Sequence, residues 1–134
     1  MARTLGELAA IARGQWRGSC EFDRPLAGVS TDTRQLCAGD VFVAIDGDRF
    51  DGHRFVEDAL AAGAQGVLIQ SDSDTPRPAG VPTLEVSDTT LALGELAQGH
   101  RSKFEGPVVA ITGSSGKTTT KDMCAAALEA GAPE

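Results

Sequence analysis

Tyrosine is absent from this 134-residue chain and tryptophan occurs once. Aromatic residues make up only 4% of it, against 41% apolar residues in all, so a core has to be built mainly from Ala, Val, Leu and Ile. The three cysteines, Cys20, Cys37 and Cys124, are far apart and form no Cys-x-x-Cys pair. That spacing signals neither a disulfide framework nor a zinc site. Ordinary thiols of this kind fit a reducing compartment, and a cytoplasmic location is the expectation. Basic residues are also scarce, 12 against 19 acidic, for a net charge of −7. General nucleic-acid binding, which needs a basic face, is therefore not expected. A small anionic ligand remains compatible, because one loop can be locally positive. No apolar run approaches the roughly 20 residues of a membrane span, so no membrane insertion is expected. The start of the chain lacks the apolar run of a signal peptide. No repeat or low-complexity tract is present.

What the chain does have is concentrated near its end. Val108-Val109-Ala110-Ile111 is an apolar run suited to a buried strand. Thr112-Gly113-Ser114-Ser115-Gly116-Lys117-Thr118-Thr119-Thr120 follows, then an Ala/Leu-rich segment over 122–130 that reads as a helix. Strand, glycine turn and helix is the layout of a phosphate-binding loop. Glycines let the backbone aim its N–H groups at one point, and a helix start adds unpaired N–H groups and a positive dipole end. Lys117 can reach terminal phosphates, and the Thr118 hydroxyl can ligate Mg²⁺. The general motif asks for glycine five residues before Gly116, where this chain has Ile111. The element is thus the shorter Gly-x-x-Gly-Lys-Thr-Thr. The bland alternative is a glycine turn with a solvated lysine.

Upstream, Thr4-x-x-Glu7 fits a capping box for a helix over 4–12, with Leu5, Leu8, Ala9 and Ala12 on one face and Gly14 as the stop. Residues 15–19 and 26–31 read as short strands, and 41–45 as the clearest strand of this part. Residues 46–53 read as a loop, and 54–62 as a helix ended by Gly63. A buried strand is expected over 66–69, an exposed loop over 71–82 and a short strand over 83–86. Ser87 or Asp88 is expected to cap a helix reaching about residue 104, with Leu91, Leu93, Leu96 and Ala97 on its buried side. Residues 105–107 are the expected hinge. Strands alternating with helices predict an α/β fold with a mixed, largely parallel sheet. Ligands of such sheets bind at the C-terminal ends of strands. Two polar stretches fall there, 31–34 and 47–53. Each carries an arginine, which suits a phosphate or diphosphate. Each can equally be a turn with a surface ion pair, or a plain loop, and His53 alone reads more readily as structural than as catalytic.

Four segments, in this order, carry a resemblance: Thr31-Asp32-Thr33-Arg34; Ala38-Gly39-Asp40-Val41-Phe42-Val43-Ala44; Gly47-Asp48-Arg49-Phe50-Asp51-Gly52-His53-Arg54-Phe55; and Ala110-Ile111-Thr112-Gly113-Ser114-Ser115-Gly116-Lys117-Thr118-Thr119-Thr120-Lys121. Together they resemble the Mur ligase family of peptidoglycan synthesis. The resemblance is closest to the branch that joins D-alanyl-D-alanine to UDP-N-acetylmuramoyl-tripeptide. The sister branch that adds the third amino acid shares several elements, but lacks Phe-Asp-Gly-His and usually has Thr-Asn-Gly-Lys-Thr in the loop. The resemblance implies an N-terminal domain for the UDP part of the substrate, over residues 1–105. Residues 106–134 would be the first strand, loop and helix of a central ATP-binding domain whose remainder is missing. Carried over by motif, Thr33, Arg34, Asp48, Arg49 and Phe50 would lie by the UDP moiety. Gly113, Ser114, Ser115, Gly116, Lys117, Thr118 and Thr119 would form the ATP loop, with Lys117 acting on the transferred phosphoryl group and Thr118 serving Mg²⁺. The family uses ATP and Mg²⁺ to activate a carboxylate as an acyl phosphate, which an amine then displaces.

The chain by itself is expected to lack ligase activity, since the other phosphoryl-transfer parts have no counterpart in it. Two readings from other classes compete. One is a non-catalytic module that binds UDP-sugar peptides. The other is a small P-loop kinase, disfavoured because its machinery would have to precede the loop.

Overall fold

A computed structural model of the chain describes residues 4–18, 21–47 and 50–131. It divides into two compact units, Met1–Phe104 and Glu105–Glu134.

The first unit is organised on a five-stranded sheet with the order β1-β7-β6-β3-β2. Its strands are β1 (Gln15–Arg17), β2 (Gly28–Ser30), β3 (Asp40–Val43), β6 (Gly66–Gln70) and β7 (Thr83–Val86). β2, β3, β6 and β7 run parallel, and β1 closes one edge antiparallel to β7. A two-residue pair, β4 (Asp46–Gly47) with β5 (Phe50–Asp51), forms a separate small hairpin. The mixed α/β fold with a mostly parallel sheet matches the expectation.

Alternation along the strands explains the layers. Val41, Val43, Leu68, Leu84 and Val86 are buried on one face, against α1 (Leu5–Ala12) and α3 (Thr89–Arg101). Phe42, Ala44, Val67 and Ile69 are buried on the other, with Val56 and Ala59 of α2 (Val56–Ala61). A sheet covered on both faces needs near-continuous apolar strands, which 41–44 and 66–69 supply.

Local chemistry sets the helix ends. Thr4 caps α1, its Oγ1 accepting from the Glu7 N–H at 3.2 Å. Asp88 caps α3, its Oδ1 accepting from the Leu91 N–H at 2.8 Å. The stop of α1 differs from expectation. Arg13, not Gly14, takes the left-handed conformation, with φ 52°. Gly14 is required for another reason: a Cβ there would sit 2.7 Å from Leu84 Cδ1 and 2.9 Å from the Glu85 carbonyl oxygen.

Three other expectations are corrected. Residues 46–53, read as a loop, hold the β4–β5 hairpin and then a 3-10 turn, Gly52–Phe55, so α2 starts at Val56 rather than at residue 54. On α3, Leu91 is 67% exposed and Ala97 is also exposed, while Thr89, Ala92 and Leu96 are buried. The packed stripe is set by α1, whose Ile11 lies against Gly99 of α3, and it misses the Leu91 side.

Thr89 carries an oddity at the start of α3. It is buried, and its hydroxyl has no hydrogen-bond partner among the described residues. An unpaired buried hydroxyl costs about 1–3 kcal/mol. Thr89→Val, which keeps the shape and removes the polar atom, is therefore expected to raise stability by about 1 kcal/mol in a urea titration. A fall in stability would contradict the assignment.

In the second unit, α4 (Lys117–Gly131) begins earlier than the predicted 122–130, directly after Gly116. The predicted strand over 108–111 does not form, and Val109 is 78% exposed. A strand needs a neighbour to satisfy its N–H and C=O groups, and no second strand exists among the described residues of this unit. Among the described residues no helix is long and apolar enough to cross a membrane.

Candidate functional site

The C-terminal ends of β2 and β3 open onto a cleft of about 630 Å³. Thr31, Asp32, Thr33 and Arg34 line one side, while Phe50, Gly52 and Phe55 line another. The two polar stretches singled out in the sequence therefore meet. Of the expected UDP-site residues, the cleft gathers Thr33, Arg34 and Phe50. Asp48 and Arg49 lie outside the described residues.

The 31–34 side is shaped by Asp32. Its carboxylate accepts from the Arg34 backbone N–H at 3.0 Å and so starts a 3-10 turn, Thr33–Gln35. The same carboxylate takes the Arg34 guanidinium in a two-point contact, Nε to Oδ1 at 2.9 Å and Nη2 to Oδ2 at 2.7 Å. Those hydrogen bonds, the side-chain one first, pull the Asp32 carboxyl down to about 2, and Asp32 in turn raises Arg34. Arg34 is thus already paired, which reduces its value as a free anion donor.

The aromatic side of the cleft was only half legible. Phe50 and Phe55 stack with ring centroids 4.9 Å apart and planes 12° from parallel. Phe50 is 64% exposed, a flat apolar face offered to solvent beside the cleft. Phe55 falls inside the helix expected over 54–62 and in the third resemblance segment, but not among the residues expected by the UDP moiety. The five-residue spacing gives no helix or strand face, and the Gly52 turn is what brings the rings together.

Asp51 and His53 hold this turn. Asp51 caps the 3-10 turn by accepting from the His53 N–H at 2.9 Å. That bond, with weaker contributions from the His53 ring and Arg54, lowers the Asp51 carboxyl. The His53 ring is buried, with Nδ1 2.8 Å from Asp51 Oδ1 and Nε2 accepting from the Gln70 N–H at 3.0 Å.

The second unit presents the glycine loop. Gly113 has φ 154° and Gly116 φ 75°, values that favour glycine. Nothing would touch a Cβ at Gly116, so conformation rather than space selects glycine there. Lys117 Nζ donates back to the Gly113 carbonyl, closing the loop on itself. Thr120 donates to the Gly116 carbonyl through both its N–H and its Oγ1, each at 2.9 Å. The N–H groups of Lys117, Thr118 and Thr119 open the helix, where intrahelical acceptors are lacking. Among the described residues no group of three or more His, Cys, Asp or Glu is placed to hold a metal ion.

Comparison with known proteins gives a consistent result. A family model described as "Mur ligase family, catalytic domain" matches residues 25–101, which lie wholly in the first unit. The UDP-N-acetylmuramoyl-tripeptide–D-alanyl-D-alanine ligase of Escherichia coli (strain K12) is 46% identical over 125 residues, covering 93% of this chain and 26% of that protein. A crystal structure of MurF from Acinetobacter baumannii superposes with a TM-score of 0.79 at 37% identity, covering 97% of this chain and 28% of the other. MurF ligase from Thermotoga maritima, solved in complex with ADP, gives 0.57 at 36% identity, covering 77% and 23%. The chain spans about a quarter of the length of these relatives. With the family model matched over more than half of its residues, on a fold shared with those structures, the chain belongs to the Mur ligase family.

Proposed function

We propose that this chain is part of an ATP-dependent ligase that joins D-alanyl-D-alanine to UDP-N-acetylmuramoyl-tripeptide in peptidoglycan synthesis. In this reading residues 1–105 hold the UDP moiety and residues 106–134 open the ATP-binding domain. The observation that carries it is the convergence of the 31–34 and 50–55 stretches on one cleft at the ends of parallel strands. An exposed phenyl face suits a planar base, and the hydroxyls of Thr31 and Thr33 suit ribose or phosphate oxygens. The exposed, unpaired thiols of Cys37 and Cys124 agree with a cytoplasmic setting.

The residues of the second unit fit a nucleotide triphosphate. Two glycines at positive φ and the first N–H groups of α4 form an anion cradle. ATP would supply the phosphoryl group that activates the substrate carboxylate. Lys117 would leave the Gly113 carbonyl to meet the phosphates, and the Thr118 hydroxyl would serve Mg²⁺. The complete cycle is not expected of this chain alone, which spans about a quarter of the length of the relatives.

Binding of UDP-N-acetylmuramoyl-tripeptide tests the reading. Because Arg34 is engaged by Asp32, Arg49 is assigned the main diphosphate contact. A charge-assisted contact is worth about 1.5–3 kcal/mol, so Arg49→Ala is expected to weaken binding about tenfold or more in calorimetry. Lys117→Ala should leave it nearly unchanged, since that lysine serves ATP. The reverse pattern would mean that the two anion sites are exchanged.

A further inference from the structure

His53 has no task in the proposed function, yet it is a buried ionisable side chain beside the cleft. Its side chain is 5% exposed. We propose that His53 is a positioning residue for the cleft: its imidazole replaces a strand carbonyl that β3 stops offering to β6, and so holds the Phe50 hairpin to the sheet. The inference rests on the reading of the cleft as the UDP site.

The ladder between β3 and β6 pairs Val41 with Gly66, Phe42 with Val67 and Val43 with Leu68. The Ala44 N–H still donates to the Leu68 carbonyl at 2.9 Å. The chain then folds away: the Ile45 N–H turns back to the Val43 carbonyl at 3.1 Å, and the Ile45 carbonyl accepts from Gly52 at 2.8 Å. Gln70 lies two residues beyond Leu68, so its backbone groups point to the same side of β6. Among the described residues no strand pairs with it there. On the other side of β6, Gln70 pairs in register with Val86 of β7.

The vacancy on the β3 side is filled by His53 Nε2, which accepts the Gln70 N–H at 3.0 Å. A half-buried backbone donor without an acceptor is disfavoured, so the contact has an energetic reason. Accepting at Nε2 requires the proton to sit on Nδ1. Nδ1 is 2.8 Å from Asp51 Oδ1, which can accept it, and the same oxygen takes the His53 backbone N–H at 2.9 Å. The imidazole is therefore gripped at both ends, by the hairpin through Asp51 and by the sheet through Gln70. Phe50 directly precedes Asp51, and Phe55 follows two residues after His53. Beside the Gly52–Ile45 bond to the end of β3, this bridge ties the 4.9 Å ring stack to β6.

The test uses the full chain with His53→Ala and His53→Gln. Glutamine can offer Oε1 where the ring offered Nε2. His53→Ala is expected to weaken binding of UDP-N-acetylmuramoyl-tripeptide about tenfold, the scale of one well-placed hydrogen bond. It should also speed hydrogen exchange at the Gln70 amide and remove the Phe50–Phe55 ring contact in NMR spectra. His53→Gln should restore the amide protection, the ring contact and most of the affinity. In the wild-type chain, the His53 nitrogen resonances should show Nδ1 protonated and Nε2 bare. The proposal is overturned if His53→Ala keeps the amide protection and the ring contact, or if glutamine rescues no better than alanine. A protonated Nε2 in the wild-type chain overturns it as well, whether or not the alanine variant folds. Should the wild-type chain bind no UDP ligand, the functional reading falls, while the amide, ring and nitrogen signals still decide the role of His53.

Discussion

Gly52→Ala is expected to lower the stability of the first unit by about 3 kcal/mol, at the upper end of what overpacking usually does. An added Cβ would lie 2.7 Å from the Ile45 nitrogen, 2.8 Å from the Ile45 oxygen and 3.1 Å from the Ala44 carbonyl carbon. All three are backbone atoms, so no side chain can swing away. The Gly52 N–H donates to that same Ile45 oxygen at 2.8 Å, and relieving the clash means breaking this bond. The hairpin would then leave β3, and the Phe50–Phe55 stack would move with it. For a domain of this size, about 3 kcal/mol corresponds to a fall in melting temperature on the order of 15 °C. Thermal and urea unfolding of the variant check this. A loss below about 0.5 kcal/mol, the usual range of a neutral surface change, would show that the approach of the two chain segments is not tight. Binding of the UDP ligand should fall in parallel, because Gly52 also lines the cleft.

Removing Glu85 should have the next largest effect. Its carboxylate takes Arg17 Nε at 3.0 Å and Arg77 Nε at 3.0 Å, and its side chain is only 15% exposed. Arg77 in turn donates to the carbonyls of Ser71, Ser73 and Thr75. One carboxylate on β7 therefore anchors both the edge strand β1 and the loop that follows β6. Hydrogen bonds to charged groups contribute about 1.5–3 kcal/mol when enclosed and less when solvent screens them. Both arginines keep partial access to water, so Glu85→Ala is expected to cost about 2 kcal/mol.

The same contacts predict a pH dependence. Arg17 first, then Arg77, hold the Glu85 carboxyl below its ordinary 4.5. A carboxyl lowered by folding adds stability that is present above its unfolded value and is lost as pH falls through the folded one. Unfolding curves between about pH 6 and pH 3 should therefore show the native chain weakening below roughly pH 4.5, with Glu85→Gln lacking that part of the slope. Parallel curves for the two proteins would contradict the assignment.

Strands β3, β6 and β7, the Thr4 and Asp88 caps and the glycine loop were all legible in the sequence. Their signals are contiguous: an apolar run, a capping residue, a glycine pair before Lys-Thr. The four motifs that carry the family resemblance are equally local. Where sequence and structure differ, the deciding partner lies elsewhere in the chain. The run 108–111 has strand composition but no neighbouring strand among the described residues of its unit, and composition cannot supply a ladder. Leu91 fits the apolar period of α3, yet α1 packs against a different stripe.

The sequence alone pointed to an α/β chain of the Mur ligase family and marked the 31–34, 47–53 and 112–120 stretches as its candidate anion sites. Only the tertiary structure decided how their side chains are committed. Arg34 and Asp32 are two residues apart, and nothing in their spacing says whether the guanidinium is free or held by the carboxylate at 2.7 Å. His53 finds its acceptor role 17 residues away at Gln70, because β3 ends at Val43, before it can offer that N–H a carbonyl. Periodicity reports which face a residue occupies. Which buried donor lacks a partner, and which side chain comes to fill it, follows from where strands stop in space.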